Sequence, residues 1–353
     1  MMQYSIMFFS ADSGVGDPYR LLREASVFAD RHGFTAVWTP ERHFHEFGGI
    51  YANPALTSAA LATITERIQL RAGSLISPLH DELRVAEEWA MVDNLSNGRV
   101  AISFGSGWNI NDFIFFPDRY ERRQAVMYEQ IEVVKKLWTG ERIRRQTSAG
   151  KDVEIQLFPK PVSSRLPVWV TSSGNVETFR SAGHIGANVL THLIIQDLPT
   201  LHKKIAVYRQ ARREAGFDPA AGCVTLMLHT FIGEDVEHVR RIVKPHFTRY
   251  LQSAVSLEQL AADGRGSISG GHKIDPEEIG PDLLAELLDV AFDRYFTNAS
   301  LMGTPDVCRA MADKLCGLGV DEIACLLDFG PAREQVLNSL VHVARLQGSP
   351  VMA

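Results

Sequence analysis

Residues 68–107 read IQLRAGSLISPLHDELRVAEEWAMVDNLSNGRVAISFGSG. The flanking runs, Ile68–Ser77 and Val100–Gly107, are short, largely apolar and end among glycine and serine. Between them, Glu82–Ser96 spaces its apolar residues three and four apart, the period of a helix with one buried face. Strand, helix and strand in this order predict a β–α–β unit. Most of the strand-like runs of the chain are continuously apolar, so both faces of the sheet should be covered, as in a parallel sheet.

The same unit recurs outward in both directions. Strand-like runs occur at Tyr4–Ser10, Thr35–Pro40, Pro167–Ser173, Ala187–Ile194, Val224–Ile232 and Glu322–Phe329. Helical spacing fills Pro18–Gly33, Asn53–Glu66, Arg119–Trp138, Val176–Ala182, Leu198–Ala215, Glu234–Ser253, Pro305–Leu318 and Pro331–Leu346. Asn53 and Pro54 make a strong helix start, a capping side chain followed by a residue with no amide hydrogen to satisfy. Eight such alternations predict a (β/α)8 TIM barrel, one domain over residues 1–353. The competing fold, a doubly wound open sheet, lacks its Gly-rich dinucleotide fingerprint after strand one. Two insertions exceed the minimal barrel. Ile143–Phe158 predicts a hairpin before strand five. Ser256–Pro281, rich in Gly, Ser and charge, predicts a long loop between strands seven and eight, either a lid or simply irregular.

Composition narrows the partners. The 353 residues carry a formal charge of −6, which gives no electrostatic reason to expect nucleic acid or an anionic membrane. Hydrophobic residues make up 45 %, enough for a large core. Cys223, Cys308, Cys316 and Cys325 show neither CxxC pairing nor zinc-ligand spacing, which predicts reduced thiols and a cytoplasmic protein. The opening MMQYSIMFFSADSG has no basic stretch and reads as a strand, not a signal peptide. No run is long and apolar enough for a membrane span.

In such barrels chemistry gathers where the strands end. The second strand ends in TPERHFHEFGG, residues 39–49, with Glu41, Arg42, His43 and His45. The fifth ends in TSSGN, where Thr171, Ser172, Ser173, Gly174 and Asn175 lead into a helix start. Free amides and the positive helix end suit a phosphate there, although a plain Ser/Asn cap explains the same residues. Glu177, one turn in, would repel a phosphate if it pointed inward. On the fourth strand, Gly105-Ser106-Gly107-Trp108 lets backbone approach a flat ligand with an indole to stack, or is a turn beside a core tryptophan. His43 and His45, with His192, His229 and Asp328, also allow a metal-hydrolase centre, but each histidine alone is as well read as a packing residue. The small-residue helix Asn53–Glu66 is either a homodimer face or packed within the barrel.

Four stretches carry a resemblance: WTPERHFHEFGG, SPLHDELRVAEEWAMVDNLSNGRVAISFGSGWNINDF, PVWVTSSGN and NASLMGTPDVC. Over nearly its whole length the chain resembles the bacterial luciferase-like flavin monooxygenases. It is most similar to the natural-product branch, whose members oxidise polyketide or peptide intermediates, often tethered to a carrier protein. The resemblance implies FMN as cofactor, bound reduced at the barrel mouth, and O2 as co-substrate. It also implies a separate flavin reductase and a homodimer. The cofactor carries the oxygen chemistry and the protein supplies orientation and a dry pocket.

Matched residue by residue, Gly73–Ser74 falls on the family's non-prolyl cis peptide beneath the flavin ring. Ser106, Gly107 and Trp108 fall on its flavin-contacting turn. Ser172, Ser173 and Gly174 fall on its phosphate-contacting turn, which agrees with the anion site at Thr171–Asn175. The chain also departs from luciferase. An arginine there is here Ser106, an acid is here Ser173, and the catalytic histidine aligns with Arg42, which argues against light emission. An arginine cannot serve as a general base but can hold an anion or carbonyl oxygen. Arg42 and His43 are therefore expected at the reaction, with His192 as a further proton-transfer candidate and Phe44 and Phe47 keeping the rim apolar. The implied activity is insertion of one oxygen atom into an acyl or aminoacyl substrate. The alternatives are a deazaflavin-dependent oxidoreductase on the same barrel and a non-catalytic flavin-binding subunit.

Overall fold

The computed structural model describes residues 2–9, 16–194, 196–262 and 281–348. In chain order the strands are β1 (Gln3–Met7), β2 (Ala36–Thr39), β3 (Gln69–Ile76), β4 (Val100–Gly105), β5 (Ile143–Gln146), β6 (Asp152–Ile155), β7 (Val168–Ser172), β8 (Asn188–His192), β9 (Val224–Ile232), β10 (Leu301–Gly303) and β11 (Glu322–Leu326). The helices are α1 (Arg20–Arg31), α2 (Pro54–Ala62), α3 (Glu82–Ser96), α4 (Arg123–Trp138), α5 (Val176–His184), α6 (Leu198–Glu214), α7 (Val236–Ala262), α8 (Pro281–Asn298), α9 (Pro305–Gly317) and α10 (Arg333–Leu346).

Eight strands form a closed parallel ring. Its order is β1, β2, β3, β4, β7, β8, β9, β11 and back to β1. Each strand segment read from the sequence is one stave. β5 and β6 form the expected antiparallel hairpin before the fifth stave, and β10 is a short addition to β9. Asn53 caps α2 by accepting the amides of Ala55 and Leu56. Asp81 caps α3 by accepting that of Leu83. α3 ends at Asn97, whose φ of +57° turns the chain left-handed before β4.

The region after β9 differs from expectation. α7 runs to Ala262, past the expected helix end at Ser253, and α8 was not expected at all. Residues 263–280 of the expected loop lie outside the described residues. The helical signal in α8 is Leu288, Phe292 and Phe296, four apart and buried. Phe292 and Phe296, together with Phe247 and Tyr250 of α7, pack in one cluster with Phe231 of β9.

The barrel interior is largely apolar and carries a buried ion pair. Met7, Ala36, Trp38, Ala101, Trp169, Leu190 and Ala324 fill it. Arg71 crosses from β3 to Glu322 on β11, and its guanidinium lies between the indoles of Trp38 and Trp169. This plug closes the floor below the site.

Candidate active site

A cavity of about 190 Å³ opens where the strands of the ring end. Arg42, His43, His192, Gly73, Ser74, Ser106, Trp108, Thr171 and Ser173 all line it. Five stretches distant in sequence thus converge on one cavity. The Gly73–Ser74 peptide bond is cis, and β3 shifts register between Gly73 and Leu75 against β4. The Ser74 hydroxyl lies 2.5 Å from that of Thr171, which in turn lies 2.6 Å from that of Ser103. Small residues from β3, β4 and β7 therefore make one wall, with Gly107 at a φ of +77° on its edge.

Ser172, Gly174 and Asn175 are not on the cavity wall. The Ser172 hydroxyl is buried, accepts the Gly174 amide at 3.3 Å and donates to the Asn175 carbonyl at 3.4 Å. Asn175 caps α5 through the Glu177 amide. Glu177 itself pairs with Arg180 at 3.2 Å on the surface. The turn thus holds itself together by local hydrogen bonds while Thr171 and Ser173 reach the cavity.

The guanidinium of Arg42 lies over the Phe9 ring at 4.1 Å and near Phe47 at 5.2 Å. Burial holds its pKa below the usual arginine value, and its buried Nε has no hydrogen-bond partner. A cation seated on aromatic faces with an idle donor suits an anion or carbonyl oxygen. Phe47 packs under it as expected. Phe44 instead turns outward, 68 % exposed with a φ of +55°, and stacks loosely on Phe115.

The histidines separate into distinct roles. His43 donates from Nε2 to Glu41 at 2.8 Å. His45 accepts the Phe47 amide at Nδ1. His192 accepts the Ile194 amide at Nδ1, and burial together with the charge of Lys204 pushes its pKa down to about 4. His229 is boxed by Phe247, Tyr250 and Phe329, and burial pushes it down to about 3. Asp328 is taken up by the Phe9 amide. Among the described residues, no three His, Cys, Asp or Glu side chains converge to hold a metal ion.

Two cavity residues were not singled out as site residues from the sequence. Glu41 is buried against both His43 and His80. Asp112 follows Trp108 on a 3-10 turn, and burial raises its pKa to about 6 against the lowering effect of His43 and Arg42. Glu41 lay in plain view between Pro40 and Arg42. Asp112 had only the end of the WNIND stretch as its signal.

A family model described as luciferase-like monooxygenase matches residues 2–322. The chain belongs to the luciferase-like monooxygenase family. Among curated relatives of this luciferase-like enzyme is the oxygenase component of flavin-dependent trigonelline monooxygenase from Acinetobacter baylyi. The two are 28 % identical over 62 % of this chain and 61 % of that protein. The F420-dependent glucose-6-phosphate dehydrogenase of Segniliparus rotundus is 31 % identical over 47 % of this chain and 51 % of that one. Among solved structures, the oxygenating constituent of 3,6-diketocamphane monooxygenase from Pseudomonas putida, a type II Baeyer–Villiger enzyme in complex with FMN, superposes with a TM-score of 0.75. That match is 18 % identical over 98 % of this chain and 97 % of that one, which shows a shared fold.

Proposed function

We propose that this luciferase-like monooxygenase uses reduced FMN and O2 to insert one oxygen atom into an acyl or aminoacyl substrate, including one tethered to a carrier protein. The observation that carries the reading is the meeting in one cavity of the small residues Gly73, Ser74 and Thr171 with the Arg42 cation, whose buried Nε has no hydrogen-bond partner. A small-residue wall would let a flat ring lie against backbone, and the Arg42 cation lining the same cavity would balance negative charge on it. The residues present therefore fit FMN.

In this arrangement Gly73, Ser74, Ser106 and Trp108 border the ring. Thr171 and Ser173 would hold the phosphate from a turn whose remaining residues, Ser172, Gly174 and Asn175, fix its shape at the positive end of α5. Reduced FMN supplies the electrons that activate O2. Arg42 steadies an anionic or carbonyl oxygen. His192 is neutral at ordinary pH because of burial and Lys204, and with Nδ1 accepting the Ile194 amide its hydrogen sits on Nε2, from which it can donate to an oxygen of the ligand. His43 is the second proton-handling group. Phe9, Met7, Ile76 and Met227 add apolar wall that helps exclude water.

The fold carries no nicotinamide fingerprint, so electrons come from a separate flavin reductase. The oxygenase-component name of the trigonelline enzyme supports this. We place the protein in the cytoplasm, in keeping with four free cysteines. No helix among the described residues is long and apolar enough to cross a membrane. A homodimer through α2 and α3 is supported by Leu56, Met91 and Leu95, which are 71 %, 55 % and 56 % exposed on those two helices.

F420 in place of FMN is the second reading, and the dehydrogenase relative favours it. Titration with FMN and F420, each oxidised and reduced, separates the two. Incubation with acyl-carrier substrates, a flavin reductase, NAD(P)H, FMN and O2 should then add one oxygen atom by mass spectrometry. Binding of F420 but not FMN would overturn the monooxygenase proposal.

A further inference from the structure

Glu41 stands at the end of β2 with its side chain fully buried, beside a cavity whose other acid, Asp112, is only half-buried. Three donors converge on it. His43 and His80 both donate from Nε2 to the same oxygen, Oε1, at 2.8 and 2.6 Å. The Ile76 amide, at the end of β3, donates to Oε2 at 2.7 Å. His80 is itself fixed from the α4 side. Its carbonyl accepts from Arg119 at 2.6 Å and from Gln130 at 2.8 Å.

This arrangement decides which atom His43 offers. A carboxylate accepts and does not donate, so both imidazoles must carry their hydrogen on Nε2. Nδ1 of His43 then holds a lone pair, and His43 lines the cavity. We propose that Glu41 is the positioning residue of the site: it locks His43 in the Nε2–H form, so that Nδ1 faces the reacting ligand as a proton acceptor. His80, on the same carboxylate oxygen, is its counter-ion.

The charges agree with this geometry. Burial alone would raise the Glu41 carboxyl, but the hydrogen bonds from His43 and His80, the charge of His80 and the Ile76 amide bring it below its usual range. Burial alone would lower His80, but Glu41 outweighs it and the imidazole is raised. Glu88 adds to that rise, and Arg119 opposes it. On the cavity side, Asp112 and Arg42 are the other charged groups in reach. His80 as imidazolium balances the Glu41 charge.

The inference rests on the cavity being the reaction site, but its test needs no ligand. The full chain, labelled with 15N-histidine, is followed by long-range 15N–1H spectroscopy across pH, with H43N and H80N to assign the signals. Wild type should show His43 in the Nε2–H form. E41A should give a mixture of tautomers at His43. E41Q keeps an acceptor but not a charge, so it should hold the His43 tautomer while the His80 midpoint falls towards the ordinary histidine value. An Nδ1–H or mixed His43 in wild type, or an unchanged spectrum in E41A, overturns the proposal. Should E41A fail to fold, an unmoved His80 midpoint in E41Q does the same. FMN binding is measured separately, so failure of the flavin reading leaves this result standing or falling by itself.

Discussion

Arg71 and Glu322 meet inside the closed barrel, with Nη1 of the arginine 3.0 and 2.9 Å from the two carboxylate oxygens. Ser5 donates to the same carboxylate at 2.6 Å, and the Trp38 indole N–H lies within 3.3 Å of it. Both side chains are out of solvent. Removing one partner leaves the other charge stranded in the core. R71M should therefore destabilise the protein by about 3–5 kcal/mol, read as a fall in the urea midpoint. The double variant R71M/E322L should recover most of that loss. A near-neutral R71M would show that the pair is not holding the floor.

Gly107 tests the edge of the small-residue wall. Its φ of +77° is unfavourable for any side chain, and a Cβ there would come within 2.8 Å of Ile76 Cγ2 and 3.0 Å of Phe113. G107A should lower stability by roughly 1–2 kcal/mol from the backbone term alone. The shifted Ile76 should also narrow the cavity. Thermal unfolding with and without FMN checks both parts: the melting temperature should drop, and the rise on adding FMN should shrink.

Asp112 gives a pH signature. Its folded pKa is about 6, raised chiefly by burial, whereas an unfolded aspartate titrates near ~3.9. Between those values the folded chain holds a proton that the unfolded chain has lost. The contribution to stability is full below the lower value and is lost as pH rises through the upper one. D112N removes this dependence. Its stability relative to wild type should climb from about pH 4 to about pH 6 and then level off in urea titrations. A constant difference across that window would mean that Asp112 is not shifted.

Arg42 separates charge from shape. R42K keeps a cation but loses the flat guanidinium that lies over Phe9. Loss of one good charge-assisted contact predicts roughly tenfold weaker binding of reduced FMN, about 1.4 kcal/mol. Anaerobic fluorescence titration measures it. Unchanged affinity would move Arg42 away from the cofactor and towards the substrate.

The barrel was legible because parallel strands covered on both faces are largely apolar, and Val100–Gly105 and Val224–Ile232 are. Caps were legible where the chemistry is local, as at Asn53. α8 was lost because its apolar Leu288, Phe292 and Phe296 follow a glycine-rich stretch that drew attention to loop chemistry. At the site, Arg42, His43 and Ser74 could be named because each sits at a strand end. Phe44 was misplaced because period-two reasoning stops where the strand does, and its left-handed φ turns the ring outward. Glu41 and His80 became partners only through the third dimension. Nothing in a linear reading tells that residues 39 positions apart share one oxygen.

Ring closure also sets a clock during synthesis. The last stave, β11, pairs with β1, and the Ser5–Glu322 contact joins residues 317 positions apart. At ribosomal speeds of about 5–20 residues per second, that separation takes on the order of tens of seconds to translate. Throughout that wait, the free side of β1 presents unpaired amides and carbonyls to other nascent chains. Yield in a heterologous host should therefore depend on chaperones that shield this edge more than on the stability of the finished enzyme.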